Sequence, residues 1–112
     1  MVGIRKQKTE MKQIAKMLLA NRLLAGHTQT DIAQKLFVTF QQYQKWENGV
    51  NRISADQLLS LCKEFNYNWN DFMKEPDEFC KTISNLRTKE KLTQLFTRIS
   101  RNVDKASRIE NT

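Results

Sequence analysis

Apolar side chains recur along this chain three and four positions apart, with polar ones between them. That period belongs to the α-helix, where such positions share one face. Met11, Ile14, Ala15, Leu18, Leu19 and Leu23 predict a first helix over residues 9–25, which Gly26 stops. Thr28, with Asp31 three positions on, predicts an N-cap and a second helix reaching Leu36. Phe37 and Val38 form a short connection, and Thr39 caps a third helix over residues 40–48 that Gly49 closes. After the loop Asn51-Arg52-Ile53, Ser54 and Gln57 make a capping box. It opens a fourth helix to Phe65, with Leu58, Leu59, Leu61, Cys62 and Phe65 facing inward. Asn68 caps a short fifth helix over residues 69–74, and Pro76 ends that unit.

The pattern changes beyond that point. Phe79, Ile83 and Leu86 form one helical stripe. Leu92, Leu95, Phe96, Ile99 and Val103 form a cleaner one, with Lys, Arg and Gln on the other faces and a break expected within residues 84–88. An amphipathic helix outside a small domain needs cover for its stripe. It packs back on the domain, or it serves as a surface for a second copy or another protein. The chain therefore divides into a basic N-terminal arm (residues 1–8), a helical domain (9–75) and a helical tail (76–112). The fold class is all-α, a five-helix unit with a C-terminal helical extension.

Composition agrees with that reading and removes several functions. There are 3 glycines and 1 proline in 112 residues, and β-branched residues do not cluster into strands. A chain of this length can bury a core without staples. No apolar run approaches the roughly 18 residues of a membrane span. The start, MVGIRKQKTEMKQ, lacks the apolar stretch of a signal peptide, so the cytoplasm is the expected compartment. Cys62, Cys80 and the single His27 cannot assemble the four ligands of a zinc site, so no metal or cofactor is expected. No nucleophile stands with a base and no glycine loop would cradle phosphate, so no catalytic residue is assigned and no enzyme is expected.

The net charge of +7 is unevenly placed. Residues 1–26 carry six basic residues and one acid, residues 27–74 carry five of each, and residues 75–112 carry eight basic and six acidic. A basic balance points to a polyanion as partner. Arg5, Lys6 and Lys8 in the arm suit either phosphates or a groove, or simply a solvated end.

The chemistry that would recognise such a partner lies in residues 28–49, TQTDIAQKLFVTFQQYQKWENG. A helix, a turn and a second helix of this length have the helix-turn-helix proportion. Ala33 is small where two helices must cross, and Ile32, Leu36, Val38, Tyr43 and Trp46 would set their angle. Phe40, Gln41, Gln42, Gln44 and Lys45 would then point outward. Glutamine can pair with adenine N6 and N7, lysine can donate to guanine O6 and N7, and Phe40 can touch a thymine methyl. A glutamine-rich solvated helix is the bland alternative.

The run Thr28-Gln29-x-x-Ile32-Ala33-x-x-Leu36-x-Val38-Thr39-x-Gln41-x-Tyr43-x-x-Trp46-Glu47-x-Gly49 resembles the lambda-repressor-like (Cro/C1, XRE) helix-turn-helix family over about residues 11–74. The resemblance implies a sequence-specific regulator of transcription that binds double-stranded DNA, with residues 40–48 in the major groove. A homodimeric repressor on a palindromic operator is the expected form. Base contacts fall to Thr39, Phe40, Gln41, Gln42, Gln44 and Lys45, and phosphate contacts to Thr28, Gln29, Asn48 and Arg52. It also implies an ion pair of Arg22 with Glu47 that ties the first helix to the third. Leu92, Leu95, Phe96, Ile99 and Val103 are the candidate dimer or partner surface. An antitoxin-type regulator, whose tail holds a partner protein, is the alternative. One departure stands out: the family usually has glycine where this chain has Phe37. Either the turn takes another conformation, or Phe37 bears strain in order to pack.

Overall fold

The computed structural model describes residues 2–110 in backbone and residues 9–105 in side chain. Six α-helices and one short 3-10 helix account for the described elements, with no strand among them. In chain order they are α1 (Val2–Ala25), α2 (Gln29–Lys35), α3 (Phe40–Glu47), α4 (Ala55–Phe65), the 3-10 helix (Trp69–Met73), α5 (Pro76–Lys81) and α6 (Leu86–Glu110).

The helix starts follow from local chemistry. Thr28 and Ser54 each form a full capping box, with Asp31 and Gln57 respectively. Thr39 caps α3 by accepting the Gln42 N–H at 3.0 Å, and Asn85 accepts the Thr88 N–H at 3.1 Å at the start of α6. The ends are equally regular. Gly26, Phe37, Gly49 and Asn66 all take a left-handed conformation just past a helix. Behind α1, α2 and α3 the two following N–H groups bond back to orphan carbonyls. For α3 these are Gly49 to Trp46 at 3.3 Å and Val50 to Lys45 at 2.9 Å.

α1 is the centre of the packing and touches α3, α5, α6 and the 3-10 helix. Met17, Leu18, Ile32, Tyr43, Leu61, Leu92 and Ile99 are fully buried in one continuous core. The tail is part of that core. Leu92, Phe96, Ile99 and Val103 are buried, Leu95 is half-buried, and α6 lies along α1. The stripe expected as a dimer or partner surface is thus covered by its own chain. Burial of each large apolar side chain contributes about 1.5–3 kcal/mol, more than helix propensity alone supplies to a helix in water. Lys12 pairs with Asp104 at 2.9 Å and Lys16 stands 5.8 Å above the Phe96 ring, both across α1 and α6.

Several boundaries differ from the sequence expectation. α1 starts at Val2, so the expected arm is continuous with the helix rather than separate from it; its side chains lie outside the described residues. The fifth helix is a 3-10 helix. Pro76 begins α5 instead of ending a unit, because a proline at the first helical position loses no helical hydrogen bond. The break in the tail falls at residues 82–85. Leu59, expected to face inward, is 45% exposed, and Leu86, part of the first tail stripe, is 66% exposed.

Candidate nucleic-acid interface

Ala33 and Ile32 of α2 meet Tyr43 and Trp46 of α3 in the core, and the two aromatic rings stand edge to face at 6.3 Å. That packing turns the remaining face of α3 outward. Phe40, Gln41 and Lys45 are exposed, and Gln42 and Gln44 are half-buried. Thr39, at the N-terminal end, is exposed, with its hydroxyl engaged as the cap. Phe40, Gln41 and Lys45 therefore share the outer face of α3, with Gln42 and Gln44 only partly exposed.

The turn before α3 keeps the conformation that glycine would favour. Phe37 has φ 57° and its side chain is 95% exposed. It bears the strain without packing, so neither expected resolution holds. The left-handed backbone is held by the bonds that close α2, Phe37 N–H to the Gln34 carbonyl at 3.3 Å and Val38 N–H to the Ala33 carbonyl at 3.1 Å.

Behind this face lies a polar cluster. Arg22 donates to both oxygens of Glu47, Nε to Oε2 and Nη2 to Oε1, each at 2.7 Å. Its Nη1 donates to the His27 carbonyl at 3.1 Å. Glu47 is 1% exposed. Burial acts to lower the Arg22 pKa, but the Glu47 carboxylate outweighs it and the guanidinium is held more firmly protonated than usual. The Tyr43 hydroxyl is buried nearby without a hydrogen bond of ordinary geometry, and burial first, then the Glu47 charge, pushes its pKa up. Gln29 joins the cluster, its Nε2 donating to Glu47 Oε1 at 3.1 Å. An amide nitrogen has two protons, so Glu47 orients Gln29 and leaves it one donor. The exposed Thr28 hydroxyl accepts the Asp31 N–H at 3.0 Å and keeps its own proton to donate, while the Thr28 N–H goes to Asp31 at 3.1 Å.

At the far end of α3, Asn48 is tied to the tail. Its carbonyl accepts from Asn102 Nδ2 at 2.9 Å, and its Oδ1 lies 3.4 Å from Arg98 Nη2. Gly49, with φ 76°, lets α6 approach so closely that a β-carbon there would stand 2.8 Å from Val103 Cγ2. Arg98 and Leu95 join Arg22, Gln29, Glu47 and Asn48 around a small cleft of about 90 Å³. Arg52 is exposed in the loop beyond.

The helix-turn-helix family model matches residues 18–72. These residues form a helix-turn-helix domain of the lambda-repressor-like (XRE) type. An uncharacterized HTH-type transcriptional regulator of Sinorhizobium fredii is 33% identical over 64 residues, 57% of this chain and 41% of that protein. One of Rickettsia conorii is 32% identical over 65 residues, 58% of this chain and 52% of that protein. One of Sinorhizobium medicae is 38% identical over 45 residues, 40% of this chain and 32% of that protein. The chain thus spans about half or less of the length of these curated relatives. No solved structure matches it significantly.

The helix-turn-helix domain brings Gln29, Arg22, Glu47 and Asn48 together and leaves Arg52 apart on its loop. Sequence reasoning missed Arg98 and Asn102, which reach Asn48 from outside the matched segment. Their signal was available only as polar positions flanking an apolar stripe, and contacts 50 and 54 residues apart in the chain leave no local spacing to read. Among the described residues no group of His, Cys, Asp and Glu is placed to hold a metal ion, and no helix is long and apolar enough to cross a membrane.

Proposed function

We propose that this chain is a sequence-specific regulator of transcription that reads double-stranded DNA with α3 in the major groove. The observation that carries the reading is the division of α3 into two faces. Tyr43, Trp46 and Glu47 are held inside, while Phe40, Gln41 and Lys45 are presented outside. Gln41 and Lys45 are the base-reading residues, with Thr39, Phe40, Gln42 and Gln44 around them. Gln29, Asn48 and Arg52 touch phosphates on either side, and Gln29 does so with the donor that Glu47 leaves free. Thr28 joins them with the proton of its exposed hydroxyl. The names of the relatives, HTH-type transcriptional regulators, agree with this function.

The regulator acts as a homodimeric repressor on a palindrome, because a single domain of this size covers too few base pairs to be selective alone. Burial of the α6 stripe within its own chain supports a dimer formed through another surface. The same burial favours this reading over an antitoxin-type protein, whose tail would leave an apolar face open for its partner. Selection of bound sequences from a random duplex pool tests the function. A palindromic motif with half-sites about ten base pairs apart is the expected result. Binding without any sequence preference would remove the base-reading assignment.

A further inference from the structure

The polar side of α6 is dominated by one basic line. Arg87, Lys91, Gln94, Arg98, Arg101 and Lys105 follow one another at intervals of four, three, four, three and four residues. At 3.6 residues per turn those positions lie above one another along a single line of the helix. All six are exposed, and five are basic. Among the described residues no carboxylate is paired with any of the five. Of the described acids of the helix, Asp104 is turned to Lys12 of α1, and Glu90 stands at the edge of the line, one turn from Arg87 and from Gln94, with no ion pair to either end of it.

The line has a defined position. Arg98, at its middle, reaches Asn48 at the end of α3, and Asn102 beside it holds the Asn48 carbonyl. Arg98 also lines the cleft that contains Gln29. The basic line therefore borders the flank of α6 that meets α3, while Asp104 marks the flank that meets α1. The line, five cations and one glutamine over 18 residue steps of helix, spans about 27 Å, the scale of a DNA backbone segment several phosphates long.

We infer that α6 is a third element of the DNA interface, whose basic line lies along the phosphates flanking the groove that α3 enters. The inference rests on the DNA-reading function above. It gives the tail a second task beside completing the core. Its apolar side closes the domain, and its basic side widens the footprint without reading bases.

The test compares the full chain with Lys91→Gln/Arg101→Gln/Lys105→Gln and with Gln94→Lys, on the selected duplex and on random duplex, across a salt series. All four positions are exposed, so the helix stays folded, which circular dichroism verifies. Each phosphate contact contributes about 0.9 to the slope of log affinity against log salt. The triple variant is expected to flatten the slope by about 2–3, with the selected motif unchanged, and Gln94→Lys to steepen it by about 1. Screening at about 0.15 M salt limits this effect to charges within about 8 Å of phosphate. Wild-type slopes in both variants, alongside a bound motif, overturn the inference and leave the function standing. Failure of the unaltered chain to bind any duplex overturns the function and the inference together.

Discussion

Arg22 grips Glu47 through two hydrogen bonds of 2.7 Å, although 25 residues and a whole helix separate them in the chain. The pair fixes α3 to α1 from the inside, and through Gln29 it also orients the start of α2. With 12% and 2% of the two side chains exposed, loss of one partner leaves a charge with little water to solvate it. Glu47→Ala is expected to cost about 3–5 kcal/mol in chemical denaturation. Replacing both groups with apolar ones, Arg22→Met/Glu47→Leu, is expected to recover part of that loss. A loss below about 1 kcal/mol in the single variant would mean that the pair behaves as a surface one.

Gly49 is needed for two reasons at once. Its φ of 76° is a left-handed conformation, and an added β-carbon would meet Val103 Cγ2 at 2.8 Å and Ile99 Cγ2 at 3.2 Å. Gly49→Ala is therefore expected to destabilise by about 2 kcal/mol or more, since backbone strain and overpacking add. Adding Val103→Ala should recover the packing part alone, visible as a double-mutant coupling in thermal or urea unfolding.

Phe37 has the same backbone state with none of the glycine freedom, and its side chain is 95% exposed. Phe37→Gly removes the strain and forfeits almost no packing. It is expected to raise stability by about 0.5–1 kcal/mol after the extra chain entropy of glycine is deducted. Urea unfolding checks this. A decrease would show that the ring makes a contact worth more than the strain.

Asp31 should make the start of α2 sensitive to acid. Its carboxylate accepts the Thr28 N–H, which holds its pKa below the usual carboxylate range. A group whose pKa is depressed on folding adds stability above its unfolded value, near 3.9, and loses that contribution as pH falls through the folded value. The difference in stability between the wild type and Asp31→Asn should be present at neutral pH and shrink below about pH 4. A constant difference across that range would rule out the carboxylate as its source.

Recognition is tested on the outer face of α3. Gln41→Ala and Lys45→Ala should each weaken binding to the best duplex by about 1–3 kcal/mol and blur preference at one position. Gln29→Ala should weaken all sequences alike. Repeating the duplex selection with each variant separates the two kinds of contact, and an unchanged motif in both α3 variants would remove them from base reading.

Local chemistry is read directly from adjacent residues, so much of the architecture was legible. The caps at Thr28, Thr39, Ser54 and Asn68, the stops at Gly26 and Gly49 and the helical period need only neighbours within one turn. The set Phe40, Gln41 and Lys45 was placed on an outer face for the same reason, and it is exposed. The Arg22–Glu47 pair came from family resemblance, because no local rule joins residues 22 and 47.

By itself, then, the sequence determined an all-helical chain, a helix-turn-helix with a polar outer face, and an amphipathic tail in want of cover. Only the tertiary structure decided what covers that tail. Hydrophobic burial is non-directional, so the stripe from Leu92 to Val103 would accept any apolar surface; the close approach allowed by Gly49 and the bonds of Asn102 and Arg98 to Asn48 select the chain's own α1 and α3. Tertiary structure likewise decided that Phe37 keeps a left-handed turn while exposed and that Gln29 is oriented by Glu47. Those outcomes depend on hydrogen bonds and steric gaps between distant segments, which exist only once the helices have docked.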